Sequence, residues 1–228
     1  MRPELTILMP VYNEEQNLRL NLPILEKVIG DCTSKYEILI IDDGSSDCSR
    51  QVAKKASQKN PKIRLVRHSR NLGPGAAIPT GIFWSRAKWI MLIPADLACE
   101  PDEICGLYEA RQGVDLVVAL RSDRRDNPLW RRILSMAYIG LLRGLTQTSI
   151  EQFNYLQLFK RKLFASLPLF SRGVFVTAEI ILRAESAGFV LTQFPMTYRP
   201  RTTGQARGAS PRAVARCALE MTGYLAGQ

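Results

Sequence analysis

Apolar positions in the first half of the chain come in short unbroken runs, separated by longer segments in which they recur at helical spacing. The runs Leu5–Val11, Tyr36–Asp42, Ile63–Arg67, Lys88–Leu97 and Leu116–Leu120 predict strands. Being continuous rather than alternating, they suit a sheet covered on both faces. Between them lie predicted helices. The first opens at Asn13, which has Gln16 at capping-box spacing, and runs to about Ile29. Others run from a cap at Ser46 or Asp47 to about Lys59, from about Ala76 to Arg86, and from about Pro101 to Arg111. Strands alternating with helices of this length imply a mainly parallel central sheet flanked by helices, an α/β class.

The second half is less regular. Residues Asn127–Leu145 form an apolar segment carrying Arg131, Arg132 and Arg143, too short and too charged to span a bilayer. Tyr155–Phe159 and Phe189–Pro195 read as strands and Glu179–Ala187 as a helix. A basic loop, Arg199–Ser210, leads to an amphipathic helix at Arg212–Leu225. The expected organisation is one domain over residues 1–210 and a C-terminal helix within 211–228 suited to a membrane surface.

Composition narrows the class. The 228 residues are 46% hydrophobic and 23% charged, enough for one substantial core and unlike a disordered chain. Met1-Arg2-Pro3-Glu4 leads straight into a strand, without the apolar stretch of a signal peptide, so a cytoplasmic location is expected. Five cysteines without paired spacing are expected to be reduced thiols. A net charge of +10 seeks phosphates on a lipid head group or a small anionic substrate. Nucleic acid is not expected as a partner, because no recognition motif accompanies the charge.

The strand ends carry the candidate chemistry. Ligands of open α/β sheets sit beyond the carboxyl ends of strands. There the chain places Pro10-Val11-Tyr12-Asn13-Glu14, Asp42-Asp43-Gly44-Ser45, Arg70-Asn71-Leu72-Gly73 and Ala95-Asp96. Paired carboxylates at Asp42 and Asp43 suit a ribose diol, a base edge or a cation. Each fragment is also an ordinary turn on its own, and Asp96 has the alternative role of capping the helix that begins at Pro101. Their order after successive strands favours a shared site.

These motifs resemble family 2 glycosyltransferases, closest to the polyprenyl and dolichol-phosphate mannose or glucose synthases. The resemblance rests on P-V-Y-N-E at Pro10–Glu14, I-I-D-D-G-S-S-D at Ile40–Asp47, R-N-L-G-P-G at Arg70–Gly75 and A-D-L at Ala95–Leu97. Weaker matches are Leu158–Arg161, Phe175–Glu179 and Pro200–Ala206. It implies a single-domain nucleotide-diphospho-sugar transferase (A-type glycosyltransferase) fold. It also implies a peripheral membrane enzyme that transfers a sugar, with inversion, from a nucleotide sugar donor to a polyprenyl phosphate. By the resemblance Pro10, Tyr12, Glu14, Asp42, Asp43, Asn71 and Gly73 would bind the nucleotide sugar. Asp96 would be catalytic and hold Mg²⁺ or Mn²⁺, Arg201 would pair with the diphosphate, and Arg121, Arg131 and Arg132 would grip the acceptor phosphate.

The chain departs from the family at Pro94, where a second metal carboxylate is usual, and at Glu151 and Tyr155. Two other readings therefore stand beside the first: a silent nucleotide-sugar-binding pseudoenzyme, and a transferase acting on a sugar hydroxyl. A phosphate acceptor is largely anionic near neutral pH and needs no strong base, whereas a hydroxyl acceptor needs one, for which Glu179 and Glu151 are the candidates. A sugar nucleotidyltransferase would carry a glycine-rich loop after the first strand, and Pro10–Glu14 has none.

Overall fold

The computed structural model describes residues 2–122, 136, 139, 140, 142–144, 146, 148–153, 156–165, 167–199 and 211–226, the side chains of 211–214 aside. Seven strands form one sheet: β1 (Leu5–Val11), β2 (Tyr36–Asp42), β3 (Ile63–Arg67), β4 (Trp89–Leu92), β5 (Leu116–Arg121), β6 (Gln157–Lys160) and β7 (Leu191–Met196). Their spatial order is β3-β2-β1-β4-β6-β5-β7, and only β6 runs antiparallel to its neighbours. Helices α1 (Glu15–Cys32), α2 (Ser49–Lys59), α3 (Pro74–Trp84), α4 (Ile104–Glu109), α5 (Val176–Ser186) and α6 (Pro211–Ala226) connect or follow the strands.

The unbroken apolar runs are explained by two cores. Along β1 and β2, Leu5, Ile7, Met9, Ile38 and Ile40 point to one face, where Leu18, Leu25 and Ile29 of α1 and Ile104 and Leu107 of α4 cover them. Leu8, Leu39 and Ile41 point to the other, under Ile78 and Ile82 of α3 and Val176 and Ile180 of α5. Alternate side chains thus enter opposite cores, and neither face keeps a polar stripe. Each such Leu or Ile stabilises the fold by roughly 1.5–3 kcal/mol.

Several expected boundaries shift for local reasons. The strand expected to run towards Leu97 ends as a ladder at Leu92; the N–H of Ile93 still reaches the carbonyl of Leu8, but Pro94 has no N–H to continue. Asn13 does not open a capping box: α1 begins at Glu15, and Asn13 takes a left-handed φ of 52°. Its Oδ1 instead accepts N–H bonds from Ser46 and Asp47. The N-cap position of α2 is Cys48, although Asp47 Oδ1 still accepts the N–H of Ser49. The helix expected from Pro101 is a 3₁₀ turn, Pro101–Glu103, followed by the short α4; its N-cap position is Glu100, not Asp96.

The cysteine expectation is overturned for one pair. Cys32 at the end of α1 and Cys105 in α4 are joined by a disulfide, across 73 positions of sequence, while Cys48, Cys99 and Cys217 are free. Their spacing carried no signal because helix packing, not sequence proximity, brings them together. The C-terminal helix turns Met221 and Tyr224 onto Phe175, Ala178 and Leu182 of the α5 region, and leaves Leu219 73% exposed. Among the described residues no helix is long and apolar enough to cross a membrane. Most of Asn127–Leu145, including Arg131 and Arg132, and the segment 200–210 with Arg201 lie outside the described residues, as does Tyr155.

Candidate active site

The strand order creates a crevice. From β1 the chain moves outward to β2 and β3, then returns across β1 to β4, so the connections diverge beside β1 at the carboxyl edge. Register aligns Val11 with Asp42, and Leu8 with both Leu39 and Leu92. Tyr12, the Asp42–Ser45 turn and the Pro94–Leu97 turn therefore emerge side by side.

Asp42 and Asp43 have different surroundings although they are neighbours. Asp42 is fully buried, and its Oδ1 accepts the N–H of Ser45 at 2.9 Å. Its Oδ2 has no hydrogen-bond partner among the described residues, and Nε of the half-exposed Arg67 stands 3.7 Å away. Burying a carboxylate oxygen without a donor is costly, so this atom is suited to a donor brought by a ligand, such as a ribose hydroxyl or a base N–H. Asp43 is occupied from within. Its Oδ1 lies 2.6 Å from Nδ1 of His68 and 3.0 Å from the N–H of Leu72, and its Oδ2 accepts the N–H of Gly73 at 2.8 Å. It therefore holds the Arg70–Gly73 loop in place, with Asn71 exposed at its tip.

Two glycines make this close approach possible. Gly44 has φ of 71°, and a Cβ there would stand 2.3 Å from the carbonyl carbon of Arg70. A Cβ on Gly75 would stand 2.0 Å from the carbonyl oxygen of Ser171. The second contact joins the loop to the segment before α5, where Glu179 is 1% exposed and accepts the N–H groups of Phe170 and Ser171 and an Nε–H bond from Arg183. Burial pushes the Glu179 carboxyl up, but these hydrogen bonds outweigh it and leave it below its ordinary value. A carboxylate so held is a poor general base. Glu151, the other base candidate, is exposed.

On the β1 side, Pro10, Tyr12 and Glu14 are partly exposed; the N–H of Glu14 donates to Ser49 Oγ and that of Asn13 to Ser45 Oγ, tying the two loops together. Asp96 is partly exposed at the end of β4, where Asn21 of α1 donates to the Ala95 carbonyl. Arg121 ends β5 with its guanidinium 3.4 Å from the ring centre of Tyr198. The structure puts the expected residues Asp42, Asp96 and Arg121 at or after the ends of β2, β4 and β5, and sets Arg67, His68 and Tyr198, which the sequence reading did not name as candidates, against Asp42, Asp43 and Arg121. Arg67 and His68 occupy the last position of β3 and the one after it, a place that could have been flagged from position alone.

Among the described residues no group of three or more His, Cys, Asp or Glu could hold a metal. Glu100 is engaged by Arg199 at 2.7 Å and Asp43 by His68, while Asp96 stands partly exposed at the end of β4. That donor set fits a cation taking most of its ligands from phosphate oxygens and water.

A mostly parallel sheet with one reversed strand, polar loops at its switch point and a carboxylate after β4 is the architecture of the A-type glycosyltransferases. The chain belongs to glycosyl transferase family 2, whose family model matches residues 6–173. It is 35% identical over 153 residues to an undecaprenyl-phosphate 4-deoxy-4-formamido-L-arabinose transferase of Edwardsiella ictaluri, covering 65% of this chain and 46% of that protein. It is 30% identical over 156 residues to a dodecaprenyl-phosphate galacturonate synthase of Rhizobium johnstonii, covering 66% and 45%. The chain spans about half the length of these curated relatives. Among solved structures, glucosyl-3-phosphoglycerate synthase of Mycobacterium tuberculosis with Mn²⁺, uridine diphosphate and phosphoglyceric acid superposes with a TM-score of 0.70 at 18% identity, covering 94% of this chain and 78% of that one. The mannosyltransferase PcManGT of Pyrobaculum calidifontis, with GDP-Man and Mn²⁺, gives 0.60 at 20% identity, covering 92% and 60%.

Proposed function

We propose that this chain is the catalytic domain of an inverting glycosyltransferase that moves a sugar from a nucleoside diphosphate to a polyprenyl phosphate. The observation that carries the reading is the buried Asp42 carboxylate, whose Oδ2 waits beside Arg67 at the switch point of the sheet. In the proposed reaction an acceptor phosphate oxygen forms a bond to the anomeric carbon while the bond from that carbon to the diphosphate oxygen breaks. The electron pair leaves on the nucleoside diphosphate. No protein base is required, consistent with Glu179 being fixed by internal donors.

Asp42 and Arg67 orient the nucleoside, and the Asp43-held loop forms the wall beside it. Asp96 would hold Mg²⁺ or Mn²⁺, and when bound such an ion would offset charge on the leaving diphosphate. The names of both polyprenyl-phosphate relatives support the acceptor class. The side of α6 bearing exposed Leu219 and Arg216 is the face we assign to the membrane surface, where acceptor and donor would meet.

The test is a thermal-shift panel of uridine and guanosine diphosphate sugars with Mg²⁺ or Mn²⁺, followed by transfer to undecaprenyl phosphate in detergent. Stabilisation by one base, and a labelled lipid product, are expected. Binding of a nucleotide sugar without transfer to any prenyl phosphate would overturn the acceptor assignment.

A further inference from the structure

A second concavity lies between α5, α6 and the segment that leads into α5. It is a cleft of about 680 Å³ whose apolar wall is Leu167, Pro168, Phe170 and Ala187, with Gly223 and Tyr224 of α6 opposite. That volume falls within the roughly 300–1,000 Å³ of sites that hold small organic ligands. The Ser171–Arg172 backbone stands between the cleft and the Arg70–Gly75 loop, the Arg172 carbonyl accepting the N–H of Gly75 at 3.2 Å.

The cleft has a cation on its wall. Arg183 donates from Nε to Glu179 at 2.8 Å, and its terminal nitrogens have no hydrogen-bond acceptor among the described residues. Its guanidinium carbon lies 4.9 Å from the ring centre of Phe170 and 5.2 Å from that of Tyr224, and the side chain is 25% exposed. The two carboxylates of the lining are already engaged: Glu179 accepts the N–H groups of Phe170 and Ser171, and Glu220 those of Arg172 and Gly173. Exposed Arg172 and Arg216 stand beside Glu220 around Gly173, so three arginines accompany two carboxylates. A guanidinium held at Nε and flanked by rings is a rigid fork that matches a carboxylate or phosphate.

Two features at the rim point the same way. Phe170 keeps 69% of its surface exposed. Gly223 lies inside α6, where glycine is among the least favourable residues, yet a Cβ there would meet nothing within 4 Å. No close approach demands that glycine; its effect is to leave the mouth of the cleft open.

We propose that this cleft binds a single-chain amphiphilic anion, a carboxylate or phosphate monoester on an apolar body. Its head pairs with the terminal N–H groups of Arg183, and its chain lies along Leu167, Pro168 and Phe170. The site is separate from the strand ends and stands whatever they transfer.

Calorimetry on the full chain would compare decanoate, decyl phosphate, decanol and inorganic phosphate. Decanoate or decyl phosphate is expected to bind about tenfold or more tighter than decanol and inorganic phosphate, since each of the latter lacks either the charge or the chain. The tighter of the two anions identifies the head group. Gly223→Phe places a ring at the mouth where there is room for one, so it should keep the wild-type melting temperature and weaken the anion about tenfold or more. Arg183→Leu should bring the anion's affinity down to that of decanol. Anions bound no more tightly than decanol, or bound equally by wild type and a folded Gly223→Phe, would overturn the site. So would wild-type protein that binds neither anion at about 1 mM.

Discussion

Oδ1 of Asp43 lies 2.6 Å from Nδ1 of His68, and the far ring nitrogen of that histidine lies 3.0 Å from Oγ1 of Thr80 on α3. One side chain thus links the turn after β2 to the helix after β3. Asp43 stands next to Asp42 in sequence, yet the two carboxylates act in different directions: one holds the protein's own loop, while the other keeps an Oδ2 without a hydrogen-bond partner among the described residues, 3.7 Å from Arg67 Nε.

That contrast gives a paired prediction. Asp43→Ala leaves the buried N–H groups of Leu72 and Gly73 and the His68 ring without their acceptor, and should cost about 1–3 kcal/mol of stability. Asp42→Ala removes one bond, to the Ser45 N–H, and should show its larger effect as about 1–3 kcal/mol weaker nucleotide binding. Urea unfolding and nucleotide calorimetry on both variants check the assignment. Equal stability losses with unchanged affinity in Asp42→Ala would remove that residue from the donor site.

The disulfide yields a second prediction. Joining Cys32 to Cys105 closes a loop of 73 positions and pins α4 to the end of α1. Reduction, or the variant Cys32→Ser/Cys105→Ser, should lower stability by about 2–4 kcal/mol through the freer unfolded chain. Unfolding with and without dithiothreitol measures it, and the double serine variant should no longer respond to reductant. Buried Cys99, whose thiol is pushed up to about 12 chiefly by its burial, should resist alkylation in the folded protein, whereas exposed Cys48 should react.

Much of this was legible because strand signals are local. Unbroken apolar runs located β1, β2 and β3 to the residue, and with them the position of Asp42 at the end of β2. What escaped depends on contacts distant in sequence. Nothing near Gln157 indicates that β6 enters between β4 and β5 in reverse, nor does Cys32 indicate Cys105. The function of Asp43 was equally hidden, since its partners His68, Leu72 and Gly73 meet it only after β3 pairs with β2. Tyr198 reads as an ordinary residue after a strand until β7 lies beside β5.

Acid should expose two internal carboxylates. Asp115 is held below its ordinary value chiefly by its bond from Lys160, and Glu179 is also lowered, its hydrogen bonds outweighing burial. A depressed carboxylate contributes stability that is fully present above its unfolded pKa and lost as pH falls through the folded one. Stability from these groups should be constant above about pH 5 and decline below about pH 4. Glu179→Gln should therefore destabilise the protein more at pH 7 than in acid below about pH 4, where the contribution of the ionised carboxyl is being lost. A difference in unfolding free energy that stays the same across that range would show that the hydrogen bonds to Glu179 do not depend on its charge.

Asp96 gives the last prediction, because it tests how a site with Pro94 in place of a second carboxylate works. One carboxylate cannot hold Mg²⁺ tightly alone, since the ion demands near-octahedral oxygen coordination and dehydrates reluctantly. Metal affinity should therefore be weak for the protein by itself and rise when a nucleotide diphosphate supplies phosphate oxygens. Isothermal titration of Mg²⁺ and Mn²⁺, with and without the diphosphate, reads that difference directly. Asp96→Asn should abolish the metal-dependent gain in diphosphate affinity and reduce turnover by at least a hundredfold, roughly the 2.7 kcal/mol scale of one lost charge-stabilising contact. Its melting temperature should change little, because Glu100, not Asp96, occupies the N-cap position of the turn that follows. Diphosphate affinity indifferent to metal in the wild type would sink the cation role and leave charge stabilisation to the basic side chains. A large loss of stability in Asp96→Asn would show instead that this carboxylate organises the β4 turn, whatever its effect on turnover.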